Sequence, residues 1–195
     1  MWLGKRNDSL TSNMKILFIS LATFFFANAQ AQHDHQKAGT PADTTKKSIP
    51  QSVHIEIGDA HIMIFYSAPA VRGRIIWGGL VPYGEVWVTG AHKATTWEFT
   101  NNIEINNKVI PAGKYAIFTI PGKEKWTFIV NKKWDQHLAD DYDAKDDVVR
   151  VEAAPQVMAA NHERLLYSIT EEAGNKGVLT ISWEKIKISI PFLVR

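Results

Sequence analysis

The sequence predicts an all-β protein, an antiparallel two-sheet sandwich of jelly-roll or Ig-like type, with about ten short strands and few short helices. Three observations support this prediction. Apolar and polar residues alternate with a period of two in several short runs, most clearly over residues 185–190. The runs recur at intervals of roughly 8 to 15 residues, with turn-forming residues between them. No long segment has the apolar period of an amphipathic helix.

The first predicted strands form a hairpin. Residues 53–57 alternate, residues 60–66 are more continuously apolar, as a central strand would be, and Gly58-Asp59 between them is typical of a compact turn. Paired asparagines around residues 103–105 also indicate hairpin turns, because asparagine accepts a positive φ. The predicted strands are residues 53–57, 60–66, 94–99, 103–105, 114–120, 126–130, 147–152, 165–169, 177–184 and 185–191, and the short helix candidates are residues 135–142 and 153–160.

The N-terminal segment has the pattern of a secretory signal peptide. Met14-Lys15 is basic, residues 16–26 are apolar, and Ala27-Asn28-Ala29 supplies the small residues that signal peptidase recognises. The apolar run is too short for a membrane anchor, which needs about 20 apolar residues. We therefore expect residues 1–31 to be a signal peptide with an upstream extension, cleaved after Ala29 or Ala31. The protein is then exported, and is periplasmic or extracellular.

Composition narrows the range of partners. Of the 22 basic and 20 acidic residues, three basic and one acidic lie in residues 1–29, so 19 of each remain in the mature chain. This balance gives no electrostatic reason to expect nucleic acid or an anionic membrane as a partner. The chain contains no cysteine, which excludes disulfides, thiolate chemistry and a lipoprotein anchor.

The mature chain divides into a tail and one domain. Residues 32–50 contain almost no large apolar side chain, so we expect a disordered tether. Its His33-Asp34-His35 sequence, close to the new N-terminus, could bind copper or nickel weakly, or it could be solvated sequence without a ligand. Residues 51–195 are predicted to form a single sandwich domain.

The most unusual segment is residues 78–92. It contains four glycines, a proline, two aromatic residues and a histidine, but no strand or helix period. Most connections between strands are shorter and more polar. A long loop with bulky aromatic residues is usually packed against the domain and is often functional.

This loop also contributes to a resemblance to a known family. The sequence motifs are Tyr66-Ser67-x-Pro69, Arg72-Gly73-Arg74, residues 78–91, Pro111-Ala112-Gly113-Lys114-Tyr115 and Ser182-Trp183-Glu184-Lys185. In order and spacing, the chain resembles the bacterial family called Domain of Unknown Function 2911 over residues 53–192. The resemblance implies a secreted protein without an assigned activity. Val88 and His92 stand where the family pattern has arginine and asparagine, which changes the charge of the loop.

Two kinds of side chain are candidate ligand-binding residues. Aromatic residues in the irregular loops could stack on sugar rings, or they could close the ends of the sandwich as part of the core. Arginines in the turn before the loop could hold a carboxylate or phosphate, or they could pair with nearby glutamates. The candidates are Arg72, Arg74, Trp77, Tyr83, Trp87 and Trp134. We expect Trp97, Trp126 and Trp183 to lie in the core.

A metal site is a separate hypothesis. His92 ends the glycine-rich loop, and Asp135 and His137 lie in a second irregular segment. If the two loops meet at one end of the sandwich, two imidazoles and a carboxylate could bind zinc or a similar divalent ion. The alternative is that both histidines have only structural roles. No cofactor is otherwise indicated.

Three functions follow from these residues. The first is a non-catalytic ligand-binding or envelope-associated module that takes a glycan, peptidoglycan or a small anionic ligand. The second is a small metal-dependent hydrolase using His92, Asp135 and His137, and the third is a purely structural envelope protein. The sequence has no nucleophile elbow, phosphate loop or dinucleotide fingerprint, which disfavours the common enzyme classes. It does not determine the oligomeric state.

Overall fold

Two antiparallel sheets pack against each other in the computed structural model, which describes residues 46–195. The all-β prediction is confirmed. The predicted signal peptide, nearly all of the tether and the His33-Asp34-His35 sequence lie outside the described residues. No helix among residues 46–195 is long and apolar enough to cross a membrane.

Ten strands build the two sheets. In chain order they are β1 (Ser48–Ile57), β2 (Ala60–Pro69), β3 (Thr95–Phe99), β4 (Ile103–Ile105), β5 (Lys108–Ile110), β6 (Gly113–Ile120), β7 (Trp126–Asn131), β8 (Asp147–Ala153), β9 (Gln156–Glu172) and β10 (Lys176–Val194). One sheet has six strands in the order β1-β2-β3-β6-β7-β8, and the other has four in the order β5-β4-β10-β9. The first strand begins at Ser48, three residues before the predicted start of the domain.

Alternation of apolar residues places one face of each sheet in a shared core. In β2 the buried Ile62 and Ile64 alternate with more exposed neighbours, as the period of two requires. These side chains pack with Trp97 of β3 and, from the opposite sheet, with Tyr167 of β9 and Leu179 of β10. The buried cluster therefore joins both sheets into one sandwich.

The last two strands form a long hairpin that includes three predicted strands. The predicted strand at residues 165–169 is the middle of β9, and the two predicted strands at residues 177–184 and 185–191 are one strand, β10. The pairing of β10 with β9 shifts register on either side of Glu184, whose φ is 55°. An irregularity of this kind bends a strand without ending it, so a break in the sequence pattern did not mark a strand end.

Both predicted helices are wrong. Residues 153–160 include the end of β8 and the start of β9, which pairs with β10. Residues 138–141 form a turn, the rest of residues 135–142 is irregular apart from a bridge at His137, and the amide of Leu138 donates to the carbonyl of His92 at 2.7 Å. In both segments some backbone groups pair with other parts of the fold, in place of helical hydrogen bonds. The single helical piece of the described chain is the 3₁₀ turn Ala144–Asp146.

Candidate functional site

The glycine-rich loop is packed against the domain, as its aromatic content predicts. Its backbone forms a bridge to β6, in which Trp87 and Thr119 exchange amide-to-carbonyl hydrogen bonds of 2.8 and 3.0 Å. The amide of Gly84 donates to the carbonyl of Pro121 at 2.8 Å. Gly78 has φ 76°, and a Cβ there would lie 2.8 Å from the Tyr83 ring, so both the turn and the packing require glycine. The loop is a fixed part of the sandwich.

Thr89 is the most constrained residue of this loop. It is fully buried with φ 50°, a left-handed conformation that a β-branched residue rarely adopts. Its carbonyl accepts hydrogen bonds from the hydroxyls of Tyr167 at 2.8 Å and Thr95 at 3.0 Å, and its own hydroxyl lies 3.0 Å from that of Thr119. These bonds offset the backbone strain, and strain of this kind is common near functional sites.

Burial raises the pKa values of the two tyrosines beneath this loop. The pKa of Tyr167 lies well above 10, chiefly because the phenol is fully desolvated. Desolvation also raises the pKa of Tyr66, whose hydroxyl accepts a hydrogen bond from the Tyr167 amide at 3.3 Å. The two rings pack with centroids 4.6 Å apart. Tyr167 therefore remains a neutral hydrogen-bond donor to Thr89 at physiological pH.

A cavity of about 350 Å³ lies beside the loop. Its walls are mostly apolar side chains from the loop, from the turns near it and from β10. These are Leu80, Val81, Trp87, Val88, Leu138 and Trp183. Its charged and titratable lining residues are Lys47, Arg74 and His92, and no aspartate or glutamate lines it. The cavity is thus apolar, with basic groups and no acidic ones.

Two hydrogen bonds to backbone carbonyls hold the Arg74 guanidinium in place. Its Nε donates to the carbonyl of Val71 at 3.1 Å, and one terminal nitrogen donates to the carbonyl of Ala70. It contacts no carboxylate within the described part of the chain. A guanidinium has five N–H donors, so the two backbone hydrogen bonds orient the group and leave three donors for a ligand.

Two of the predicted tryptophans belong to an aromatic cluster. Trp77 contacts Trp87, Trp126 and Trp183, with ring centroids 5.9, 4.7 and 5.8 Å away, and Trp87 stacks on Trp183 at 5.7 Å. Trp126, Trp183 and the more distant Trp97 are buried, as we expected for core residues. Trp87 lines the cavity, while its indole N–H donates to the carbonyl of Gly90 at 3.1 Å.

The other ligand candidates lie outside this cavity. Trp134 is exposed and lines a second cavity of about 330 Å³, where the Lys114 ammonium lies 4.4 Å from its ring centroid. Tyr83, also exposed, lines a small cavity of about 80 Å³ together with Trp77. Arg72 is exposed on the turn, and its backbone amide donates to Glu163 at 2.8 Å. The structure therefore distributes the six predicted residues over several surfaces.

The predicted metal-binding loops do meet. The backbones of Lys93 and His137 form a bridge, but Asp135 pairs with the Lys93 ammonium at 3.6 Å. His92 lies 2.9 Å from the Ser48 hydroxyl through its Nε2. Among the described residues, the one group of three potential ligands within 4.8 Å of one another does not contain His92, Asp135 or His137. The geometry gives that metal site no support, and it stays a prediction.

The group that does satisfy this distance is His54, Glu56 and His61, on the β1–β2 hairpin. Sequence reasoning missed it, although the signal was present. His54 and Glu56 are two residues apart on one strand and so share a face. The Gly58-Asp59 turn then places His61 directly opposite Glu56.

The fold is a β-sandwich, and the cavity beside its glycine-rich loop has apolar walls with basic groups. The chain matches the family model described as Protein of unknown function (DUF2911) over residues 48–192, which is most of its length, so it belongs to this family. The resemblance inferred from the sequence motifs is confirmed. No curated protein and no solved structure matches the chain.

Proposed function

We propose that this domain is a non-catalytic binding module for a small organic carboxylate with an apolar body. The observation that supports the proposal is the cavity beside the glycine-rich loop, with its apolar walls, three basic or titratable nitrogen side chains and no acidic residue. Ligand sites commonly combine an apolar lining with a few well-placed polar groups. At about 350 Å³ the cavity is near the lower limit of typical ligand sites, which suits a small molecule.

Arg74 would hold the carboxylate. Guanidinium matches the geometry of a carboxylate and binds it through two parallel charge-assisted hydrogen bonds. Two of the Arg74 donors are already bound to backbone carbonyls, which reduces the side-chain entropy that ligand binding would cost. Lys47 and His92 line the same cavity and would add to the attraction of an anion.

Trp87 would contact the apolar body of the ligand. Its ring lines the cavity and is held on the Trp183 ring behind it. A flat aromatic face offers a large contact area to an aliphatic or aromatic group. Because the loop is fixed by its bonds to β6, the cavity needs little rearrangement to accept a ligand.

The test uses Leu80, which lines the cavity but is 46% exposed, so a polar substitution there should not unfold the domain. The probes are benzoate and phenylacetate, each compared with its amide by isothermal titration calorimetry at low salt. We expect the carboxylates to bind more tightly than the amides. Leu80→Asp should weaken carboxylate binding by about tenfold or more through like-charge repulsion, whereas the neutral Leu80→Asn should have a much smaller effect.

Val109→Asp is the matched control. Val109 is 50% exposed in β5 and does not line the cavity, so this variant adds the same charge without changing carboxylate affinity. Equal binding of carboxylates and amides would contradict the proposal. So would an equal loss in Leu80→Asp and Val109→Asp.

Export is part of the proposed function. The signal-peptide pattern of the N-terminal segment supports export. N-terminal sequencing of the protein from a cell envelope or culture-medium fraction should give a start at Gln30 or Gln32. A start within residues 1–14 in the cytoplasmic fraction would contradict export.

Glycan or peptidoglycan binding is a second candidate, favoured by Trp134. This ring and Phe65 are 41% and 45% exposed and line the same cavity. Exposed aromatic rings stack on sugar faces. Trp134→Ala should then abolish retention on purified peptidoglycan, while Leu80→Asp retains it. Unchanged retention of Trp134→Ala would rule this candidate out.

A further inference from the structure

Three potential metal ligands lie together on the outer face of the β1–β2 hairpin. Glu56 pairs directly with His61 across the two strands, and His54 precedes Glu56 by two residues on the same face. All three side chains are exposed, and their ligand atoms lie within 4.8 Å of one another. The cluster is at the edge of the six-stranded sheet, apart from the cavity proposed above.

The side chains are already arranged nearly as a metal ion requires. Nδ1 of His61 lies 3.2 Å from Oε1 of Glu56. The imidazole rings of His54 and His61 are nearly parallel, with centroids 5.8 Å apart and an angle of 13° between their planes. Ligands at about 2.0–2.1 Å from a tetrahedral zinc ion are about 3.3 Å from one another. Small rotations of exposed side chains would close the remaining distance.

The backbone beneath the cluster is held firmly. Ile57 and Ile62, whose side chains point to the opposite face, are fully buried in the core. The amide of His61 donates to the hydroxyl of Thr100 at 2.9 Å, which fixes the start of β2 against the neighbouring turn. A site on a rigid hairpin loses little entropy when a metal binds, because only three side-chain orientations have to be fixed.

We propose that His54, Glu56 and His61 form a binding site for a divalent transition-metal ion such as Zn²⁺. Imidazole nitrogens and a carboxylate oxygen are ligands that this class of ion prefers. The protein supplies three ligands, and the exposed position leaves the fourth to water or to a group from a partner. This proposal does not depend on the carboxylate site.

The alternative is a simple ion pair between Glu56 and a protonated His61, with no role for His54. The two differ in what they require. An exposed ion pair is weak and binds no metal, whereas a metal site needs all three side chains. Metal titration therefore distinguishes them directly.

The experiment is calorimetric titration of the mature chain (residues 32–195) with Zn²⁺ alone, at neutral pH and without a histidine tag. His33→Ala/His35→Ala is introduced into every protein, so that the tail histidines do not contribute. We expect one Zn²⁺ per chain in this background. His54→Gln/His61→Gln should bind no Zn²⁺ over the same range of Zn²⁺ concentration. The affinity of Glu56→Gln for Zn²⁺ should be lower by about tenfold or more.

His92→Gln/His137→Gln is the matched control, because it also removes two exposed imidazoles and it contains the other candidate ligands. It should bind Zn²⁺ as the background does. Circular dichroism checks that every variant is folded, which the exposure of the three side chains leads us to expect. Three outcomes would overturn the proposal: no Zn²⁺ bound by the background protein, equal binding after His54→Gln/His61→Gln, or loss of binding in His92→Gln/His137→Gln instead.

Discussion

Two residues of the glycine-rich loop, Thr89 and His92, have a positive φ, and this conformation restricts which side chains suit these positions. His92 has φ 64°, a conformation that asparagine and glycine adopt readily. The turn therefore requires a positive φ at this position. Thr89 also has a positive φ, and it depends on hydrogen bonds from Tyr167 and Thr95. The shape of the loop thus rests on a few buried hydroxyls.

The buried hydroxyl of Tyr167 should contribute to the stability of the domain through its hydrogen bond to Thr89. Removing its hydroxyl in Tyr167→Phe takes one of two donors from the Thr89 carbonyl and should lower the free energy of unfolding by about 1 kcal/mol at pH 7. Urea unfolding followed by tryptophan fluorescence measures this. Tyr83→Phe, at an exposed ring, is the control and should be neutral.

The same variant should change the alkaline stability of the protein. Burial raises the pKa of Tyr167 in the folded state above its ordinary value of 10.0, so above pH 10 the unfolded chain loses this proton first. Its contribution to stability is complete below pH 10 and is lost as pH rises from there towards the folded-state pKa. The loss is up to about 1.4 kcal/mol per pH unit. Tyr167→Phe should lose stability less steeply between pH 10 and 11.5, and an unchanged slope would contradict this account.

At the scale of elements, the β9–β10 hairpin has unusually long strands and a close contact between the two ends of β10. Its strands are much longer than the average strand, and β10 pairs with both β9 and β4. Gly177, near the start of β10, leaves room for a neighbouring aromatic ring. A Cβ at this position would lie 2.2 Å from the ring of Phe192, which is buried near the other end of the same strand.

Gly177→Ala should therefore destabilise the domain by about 1–3 kcal/mol, because the buried Phe192 ring has little room to move. Thermal and urea unfolding measure the effect. In the Phe192→Leu background, which removes the clashing ring, the same substitution should cost much less. Lys176→Ala, an exposed change next to Gly177, is the control. An equal cost in both backgrounds would show that the ring is not the cause.

At the scale of the whole molecule, one core serves both sheets. Trp97 from the six-stranded sheet packs against Phe192 from the four-stranded sheet, with ring centroids 5.4 Å apart. A second, smaller cluster around Phe118 and Ile129 lies beneath residues of the glycine-rich loop. The loop contributes to both clusters, through Val81 to the larger one and through Val88 to the smaller one, and the chain has no disulfide to hold either sheet separately.

We therefore expect the mature protein to unfold in a single cooperative step. Tryptophan fluorescence, which reports on the aromatic cluster, and far-UV circular dichroism, which reports on the strands, should give the same midpoint in urea. Two separated transitions would mean that the sheets have independent stability.

Several features of the fold could be predicted from particular residues. Alternation at residues 53–57 and the Gly58-Asp59 turn predicted the first hairpin correctly. The aromatic residues of the loop predicted that it would be packed down. The helix at residues 153–160 was wrong, because pairing of β9 with β10 overrides local propensity there. The predicted break between residues 184 and 185 lies at a register shift within β10, which depends on the pairing with β9 and not on the local pattern.

The sequence by itself determined the family, the β class and most of the strands, because these depend on local period and on motifs that are contiguous in the chain. Tertiary structure alone decided which side chains share a site. Arg74 and Trp87 line one cavity, and His61 lies beside His54 and Glu56. His92 contacts Ser48, whereas Asp135 pairs with Lys93. The physical reason is that a binding site depends on distances between atoms, and these are fixed by strand register and by the packing of loops, neither of which a period along the chain specifies.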